Sequence, residues 1–188
     1  MTVSEKAKAF GAFYTSAQIA DFLVWWAIRK AQDTVMDPSF GGGVFLRSAC
    51  HRLARLGGVP AAQIFGVEID PQAHAKVAEE IPLECGVNQR NLWLTNFFEL
   101  DQHTGPLVDV VVGNPPFIRY QRFSGEVRRL ALRRVAEEGV RLTELTSSWA
   151  PFVVHSVAML RQGGRLALVV PMEIGHAAYA RPVLDYLS

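Results

Sequence analysis

The chain has 188 residues, 49% of them hydrophobic, which suffices to bury one sizeable core and predicts a single domain over 1–188. Its 19 lysines and arginines nearly balance its 18 acidic residues, which excludes a global basic field, so any affinity for nucleic acid must come from a local patch. Two cysteines and five histidines show neither a disulfide framework nor a metal-ligand spacing, and no apolar run reaches the roughly 18 residues of a membrane span. We therefore expect a soluble cytoplasmic domain without a metal or a membrane partner.

Short apolar runs alternate along the chain with stretches of helical period. The predicted strands cover 34–37, 63–69, 92–95, 108–113 and 165–171. Hydrophobicity is continuous rather than alternating in the last two, which favours strands covered on both faces and hence a parallel sheet. The β-α-β order predicts an α/β, doubly wound, mostly parallel sheet with ligands at the carboxyl ends of the strands.

Helices are predicted between these strands from their periodicity and their caps. The first is predicted to bury one apolar face, made of Ile19, Phe22, Leu23, Trp26 and Ala27. Thr15 and Gln18 form a capping-box pattern at its start. The second helix is expected from about Val44 to Leu56, ended by a glycine pair, and the third follows Asp70, with a proline at its first position. A fourth is expected over about 148–161, ended by the pair Gly163 and Gly164.

The stretch 119–146 follows a predicted strand, contains no strand itself, and is rich in arginine. Its arginines are Arg119, Arg122, Arg128, Arg129, Arg133, Arg134 and Arg141. Part of it, 126–138, could form a basic helix whose exposed face is solvated and paired with Glu137 and Glu138. The alternative is a segment that contacts phosphates beside an active site.

Two acidic residues close strands next to a glycine-rich turn. In DPSFGGGVFL (37–46), Asp37 precedes the glycines, where it would repel a pyrophosphate but suit a cationic ammonium group. The turn lacks G-K-[ST], which excludes a nucleoside-triphosphate loop. In GVEID (66–70), Glu68 ends the next strand and can accept both ribose hydroxyls of an adenosyl group. A simple helix-cap role fits Asp70 better than Glu68.

The segment VVVGNPPF (110–117) ends a buried strand in a turn with two prolines. Pro115 and Pro116 withhold two backbone donors and stiffen the turn, which then directs carbonyl oxygens and the Asn114 side-chain oxygen to one point. An aromatic or amide NH2 needs such acceptors to become a nucleophile, because its lone pair is delocalised. Phe117 supplies a face on which a planar base can stack, worth ~1–3 kcal/mol per base.

These motifs, in this order, resemble the gamma class of DNA adenine-N6 methyltransferases, and more narrowly those of bacterial or archaeal restriction-modification and phage-defence systems. The matching segments are GAFYT (11–15), DPSFGGGVFL, GVEID, TNFFEL (95–100), NPPF, WAPFVVHSVAML (149–160) and GGRLALVVPMEI (163–174). The resemblance covers nearly all of the chain. It implies a class I, Rossmann-like methyltransferase fold, S-adenosylmethionine as cofactor, and double-stranded DNA as partner.

The resemblance also assigns roles to the residues that match. The cofactor-binding set it implies is Phe13, Tyr14, Thr15, Asp37, Pro38, Gly41, Gly43, Glu68, Ile69, Asn96 and Phe97. Within it, Asp37 would bind the methionine amino group, Glu68 the ribose, and Ile69 the adenine ring. The family often has an aspartate where this chain has Asn96, so the contact to the cofactor adenine is expected to lack a charge.

The catalytic set implied by the resemblance is the tetrapeptide Asn114, Pro115, Pro116 and Phe117. A target adenine flipped out of the duplex would stack on Phe117, while Asn114 Oδ1 and the Pro115 carbonyl bind its N6 hydrogens. DNA contacts are expected from the residues that follow the turn, namely Arg119, Tyr120, Arg122 and Arg128.

Other functions remain open on sequence. A methyltransferase that modifies a glutamine amide in translation release factors uses a similar turn, although GAFYT resembles the DNA enzymes instead. Methylation of RNA is a second alternative, and a non-catalytic fragment that binds cofactor or a partner is a third. Only five strands and a last helix-like stretch (about 176–187) are visible, whereas the family's sheet has seven strands. We therefore expect a piece that lacks its last strands and relies on a missing target-recognition domain or a separate specificity subunit.

Overall fold

A five-stranded parallel sheet forms the centre of the computed structural model, which describes residues 15–143, 146–175 and 180–188. The strands are β1 (Val35–Asp37), β2 (Ile64–Glu68), β3 (Leu92–Leu94), β4 (Val108–Gly113) and β5 (Leu160–Leu168). Their spatial order is β3-β2-β1-β4-β5, and every neighbouring pair is parallel. The chain therefore adds β2 and β3 on one side of β1, and then crosses back to add β4 and β5 on the other side of β1. This reversal confirms the predicted doubly wound sheet and leaves a crevice at the carboxyl ends of β1 and β4.

Helices cover both faces of the sheet. They are α1 (Ala17–Ala27), α2 (Val44–Leu56), α3 (Pro60–Gln63), α4 (Pro71–Cys85), α5 (Gly125–Glu137), α6 (Trp149–Ala158) and α7 (Arg181–Leu187). Single 3₁₀ turns lie at Gln89–Asn91, Phe97–Glu99 and Met172–Gly175. Val110 and Val112 pack with α1, α2 and α4 on one face, whereas Val111 packs with α6 on the other. Burial on both faces explains the uninterrupted hydrophobicity of β4.

The second and third predicted helices are confirmed together with their caps. α2 ends at Gly57, whose φ of 83° lies in the left-handed region that favours glycine. α4 begins after Asp70, whose Oδ1 accepts hydrogen bonds from the amides of Gln72 and Ala73 at 2.8 and 3.0 Å. Asp70, and not Glu68, is therefore the acid that caps the helix, as predicted from the proline that follows it.

Only Ala27 and, in part, Leu23 of the predicted apolar face of the first helix are buried, and its predicted cap is wrong. Its buried side chains are Ala20, Val24 and Ala27, whereas Phe22 and Trp26 are 63% and 43% exposed. The small alanines allow α1 to lie close to α2, so the buried stripe follows size rather than hydrophobicity. Ser16, not Thr15, caps the helix, and its hydroxyl accepts from the Ile19 amide at 3.4 Å.

The predicted bounds of α6 and of β5, which follows it, are also wrong. α6 ends at Ala158, and β5 begins at once, with Leu160 paired to Val108. The pairing is then irregular over 161–164, where Gly163 has a φ of 76°, and it resumes from Arg165 onwards. The glycine pair that suggested the end of a helix therefore lies within a strand irregularity. No helix in these described ranges is long and apolar enough to cross a membrane.

Gly66 in β2 offers a test of the packing around the glycine-rich turn. A Cβ atom on Gly66 would lie 2.7 Å from Cδ1 of Phe40, so Gly66→Ala must displace a buried ring. We expect it to lower the free energy of unfolding in urea by about 1–3 kcal/mol. The control is Gly105→Ala, whose added Cβ would lie 3.1 Å from the flexible end of Met159 and at an ordinary contact distance of 3.6 Å from Asp101 O and Leu100 Cβ. Equal stability of the two variants would contradict this packing.

Candidate active site

Three polar residues lie at the carboxyl ends of β1, β2 and β4, at one edge of the sheet. Asp37 is the last residue of β1, Glu68 is the last of β2, and Asn114 directly follows β4. Gly113 lies against Asp37, since a Cβ atom there would be 2.9 Å from Asp37 Oδ1. The absence of a side chain at Gly113 thus brings the proline turn (114–117) next to the acid that ends β1.

Glu68 holds the glycine-rich turn in place. Its Oε2 accepts from the Gly41 amide at 2.8 Å, and its Oε1 accepts from the amides of Ile69 and Asp70 at 2.9 and 2.8 Å. A carboxylate offers about four acceptor positions, so three are in use. Gly41 has a φ of 49°, and no atom of the described residues lies within 4 Å of its would-be Cβ, so within this part of the chain the backbone of the turn is open. The predicted ribose contact of Glu68 therefore requires it to share or exchange these bonds.

Asp37 is buried, with 1% of its surface exposed, and its two oxygens differ in environment. Oδ1 accepts from the Ser39 amide at 3.1 Å, whereas the buried Oδ2 has no hydrogen-bond partner among the described residues. Burial, together with a smaller effect of nearby Glu68, raises the pKa of Asp37 to about 8, and the hydrogen bond from the Ser39 amide acts in the opposite direction. A cationic group at Oδ2 would satisfy this atom and favour its ionised form.

The side chain of Asn114 is oriented by a residue at the start of α1. Its Nδ2 donates to Thr15 Oγ1 at 3.1 Å, so the amide oxygen is directed away from Thr15. Its backbone carbonyl accepts from the hydroxyl of Ser39 at 3.2 Å. Thr15, predicted both as a cap and as a cofactor contact, thus contacts the proline turn instead of capping α1. The two residues predicted with it, Phe13 and Tyr14, lie outside the described residues.

The second half of the proline turn is held by Ser148, the residue before α6. The Ser148 hydroxyl donates to the Pro116 carbonyl and accepts from the Ile118 amide, the latter at 2.8 Å. Phe117, between these two anchored residues, is half-buried against the cluster that contains Trp149. Sequence reasoning named the tetrapeptide but missed both serines that hold it.

A cavity of about 370 Å³ lies at the carboxyl ends of β2 and β3. It is lined by Ile69, Pro71, Leu94, Thr95, Asn96, Glu99, Glu126, Val127 and Leu130. The predicted adenine contacts Ile69 and Asn96 are thus brought together, whereas Pro38, Gly41 and Gly43 belong to the neighbouring glycine-rich turn. The sequence did not predict that α5 lines this cavity with Glu126, Val127 and Leu130, because the pattern of this stretch indicates only a basic helix.

Phe97 lies behind this cavity rather than in it. Its side chain is 3% exposed, and its ring packs against Phe152 and His155 at centroid distances of 4.9 and 4.6 Å. The preceding Asn96 caps the 3₁₀ turn, since its Oδ1 accepts from the Phe98 amide at 3.2 Å. The cofactor contact predicted for Phe97 would therefore have to come from its backbone or through its support of Asn96.

The residues predicted to contact DNA divide into two groups. Arg119, Tyr120 and Arg122 are exposed in the turn that follows Phe117. Arg128 is half-buried and donates to the carbonyls of Phe123 and Thr146 at 3.3 and 3.4 Å, so it ties together the ends of this segment. Among the four predicted DNA contacts, the first group is therefore the solvent-exposed part.

The sheet order, and the site at its switch point, define the fold of a class I S-adenosylmethionine-dependent methyltransferase. A class I enzyme from Listeria monocytogenes superposes with a TM-score of 0.65 at 18% identity, over 91% of this chain and 49% of that one. The DrdV–DNA complex superposes with a TM-score of 0.77 at 16% identity, over 98% of this chain and 23% of that one. At such identities these likenesses establish the fold.

The family follows from the sequence. The model of the N-6 DNA methylase family matches residues 1–176, and the chain belongs to this family. The type II methyltransferase M.BstVI of Geobacillus stearothermophilus is 24% identical over all of this chain and 38% of its own length. A tRNA1(Val) (adenine(37)-N6)-methyltransferase of Edwardsiella ictaluri is 24% identical over 84% of this chain and 57% of its own length. The chain spans about a third of the length of the type II methyltransferases it matches.

The protonation of Asp37 can be tested without any ligand. Because the pKa of Asp37 is raised to about 8, the folded protein binds a proton that the unfolded chain has already released. The free energy of unfolding should therefore fall as pH rises from 6.5 to 8, by up to about 1.4 kcal/mol per pH unit. Below this range the buried His155, whose pKa is lowered to about 4, acts in the opposite direction.

Asp37→Asn should remove this dependence, which urea unfolding at several pH values measures. Asp185→Asn, which removes an exposed carboxyl from α7, is the matched control and should keep it. A wild-type stability that stays level from pH 6.5 to 8 would show that Asp37 is ionised throughout.

Proposed function

We propose that this chain is the cofactor-binding and catalytic portion of an enzyme that methylates the exocyclic N6 of adenine in DNA. The observation that carries the proposal is the placement of Asn114, which follows β4 beside Asp37 and has its amide oriented by Thr15. Residues 1–188 would form one catalytic domain. Sequence recognition would be supplied by another domain or by a separate specificity subunit.

The residues at the strand ends fit S-adenosylmethionine. Asp37 would hold the methionine amino group at its buried Oδ2, Glu68 would bind the ribose, and the cavity beside Ile69 would take the adenine. When bound, the cofactor supplies an electrophilic methyl group on a sulfonium. Asn96 offers an uncharged acceptor where a carboxylate would offer a charged one, so we expect a weaker contact there.

The chain's own groups then account for activation of the amine. Asn114 Oδ1 and the Pro115 carbonyl would accept the two N6 hydrogens, which draws the delocalised lone pair towards tetrahedral geometry. The same acceptors stabilise positive charge as it grows on nitrogen. Phe117 would stack on the flipped base and hold it in line, so that positioning supplies most of the rate. The methylated nitrogen sheds its proton readily, and no strong base is needed at the turn.

RNA is the second candidate substrate, because one relative is a tRNA adenine-N6 methyltransferase. The site chemistry is the same for adenine in either nucleic acid. The two differ in the cost of exposing the base, which is a few kcal/mol in a duplex and less in a single-stranded loop. The DNA proposal rests on the family and on the type II relatives.

Paired variants separate catalysis from cofactor binding. Asn114→Ala should lower the rate of tritiated methyl transfer at least about 100-fold, because an acceptor used in the transition state is lost. Its affinity for S-adenosylmethionine, measured by calorimetry, should stay within about threefold. Glu68→Ala should instead weaken cofactor binding at least about tenfold, because the glycine-rich turn loses its anchor.

Asn88→Ala is the control, since Asn88 is exposed at the amino end of the sheet. The assay offers plasmid DNA, tRNA and a release factor as substrates. Transfer to tRNA alone would replace the DNA proposal, and full activity of Asn114→Ala would remove the mechanism.

The basic turn after Phe117 makes a separate prediction about salt dependence. The double variant Arg119→Ala/Arg122→Ala should weaken DNA binding and reduce the slope of log K against log salt by about two, because two phosphate contacts are lost. The control is Arg55→Ala/Arg90→Ala, which removes two exposed arginines from the opposite end of the sheet. Fluorescence anisotropy at several salt concentrations measures both slopes, and equal slopes would rule out this turn as the contact.

A further inference from the structure

Ser148 makes three hydrogen bonds to the segment that contains the catalytic turn. Its hydroxyl donates to the Pro116 carbonyl and accepts from the Ile118 amide at 2.8 Å. Its own amide donates to the Ile118 carbonyl at 3.0 Å. The residue is 3% exposed, so these bonds are shielded from water. Phe117 lies between the two residues that Ser148 holds.

The usual reason for a serine before a helix does not apply to Ser148. Serine at this position typically caps the helix by accepting from an amide in its first turn. Ser148 precedes α6, yet its side chain makes no such bond, and its own φ and ψ of −58° and −28° are already helical. Its hydroxyl is therefore committed to the proline turn and not to the helix that it begins.

The proline turn needs anchors of this kind. Pro115 and Pro116 have no N–H group, so the turn can be fixed only through its carbonyls and its flanking residues. Ser39 donates to the carbonyl of Asn114 at one end, and Ser148 binds Pro116 and Ile118 at the other. Loss of either serine would free one end of the tetrapeptide.

We infer that Ser148 is a positioning residue for methyl transfer, and this inference rests on the proposed function. By fixing both neighbours of Phe117, it sets where the stacked base lies relative to Asn114. A displacement of about 1 Å in a reacting geometry can cost about 100-fold in rate. The hydroxyl and the amide of Ser148 bond to Pro116 and Ile118 and not to the glycine-rich turn, so the affinity for the cofactor should not depend on Ser148.

Ser148→Ala tests this separation of rate from binding. We expect kcat for methyl transfer to fall about 10- to 100-fold, while the affinity for S-adenosylmethionine stays within about twofold. Ser148→Thr keeps the hydroxyl and should recover most of the rate. The matched control is Ser156→Ala on the same helix, since Ser156 is equally buried but bonds only within the helix, to the Phe152 carbonyl at 2.8 Å.

Hydrogen exchange of the Ile118 amide gives a readout that does not need activity. Ser148→Ala should speed this exchange at least about tenfold, whereas Ser156→Ala should leave it unchanged. Wild-type kcat in Ser148→Ala, or unchanged exchange at Ile118, would overturn the inference. If the alanine variant does not fold, Ser148→Cys against Ser148→Thr asks the same question, and equal kcat values would overturn it too.

Failure of the proposed function gives a different pattern. Absence of methyl transfer to both DNA and tRNA, in an assay that supplies the recognition domain or specificity subunit, counts against that function, while the exchange of the Ile118 amide still decides whether Ser148 holds the turn.

Discussion

The carboxylate of Glu68 joins the two loops on which the site is built. One oxygen binds the Gly41 amide after β1, and the other binds the amides that lead into α4. A carboxylate that is only 8% exposed would be costly without such donors, so its burial and the shape of the glycine-rich turn stabilise each other. Asp37 is buried in the same corner. Burial and the nearby Glu68 carboxylate therefore favour the neutral form of the Asp37 carboxyl. This corner of the site therefore combines one acid held by three amides with a second acid whose buried Oδ2 has no hydrogen-bond partner among the described residues.

Much of the fold could be predicted because its signals are local. Continuous apolar runs identified β4, and the residues Gly57 and Asp70 marked the end of α2 and the start of α4. The face of α1 could not be predicted, because helix–helix distance, and not hydrophobicity, decided that Ala20 is buried and Phe22 is exposed. The start of β5 was missed for a related reason, since glycine has the same signature in a strand irregularity as at a helix end.

The site divides along the same line between local and distant signals. The strand-end acids and the proline tetrapeptide are contiguous motifs, so sequence alone placed them at one edge of the sheet. The remaining parts of the site come from positions distant in the sequence, namely Ser39, Ser148 and the residues of α5 that line the cavity. Sequence patterns do not reveal them, because an isolated serine has no periodic signal. Arg128 shows the converse, since a charge expected on the surface instead links two carbonyls within its own segment.

The bond from Ser39 to the Asn114 carbonyl has a thermodynamic consequence. Ser39 belongs to the turn that follows β1, and its own amide binds Asp37, so one residue touches both halves of the site. A ligand that stiffens one half lowers the ordering cost of the other half. Linkage makes this effect reciprocal: if cofactor tightens the binding of the base, the base tightens the binding of cofactor by the same factor. In the described structure, Ser39 is the residue that joins Asp37 to the Asn114 carbonyl, so such a coupling would pass through it.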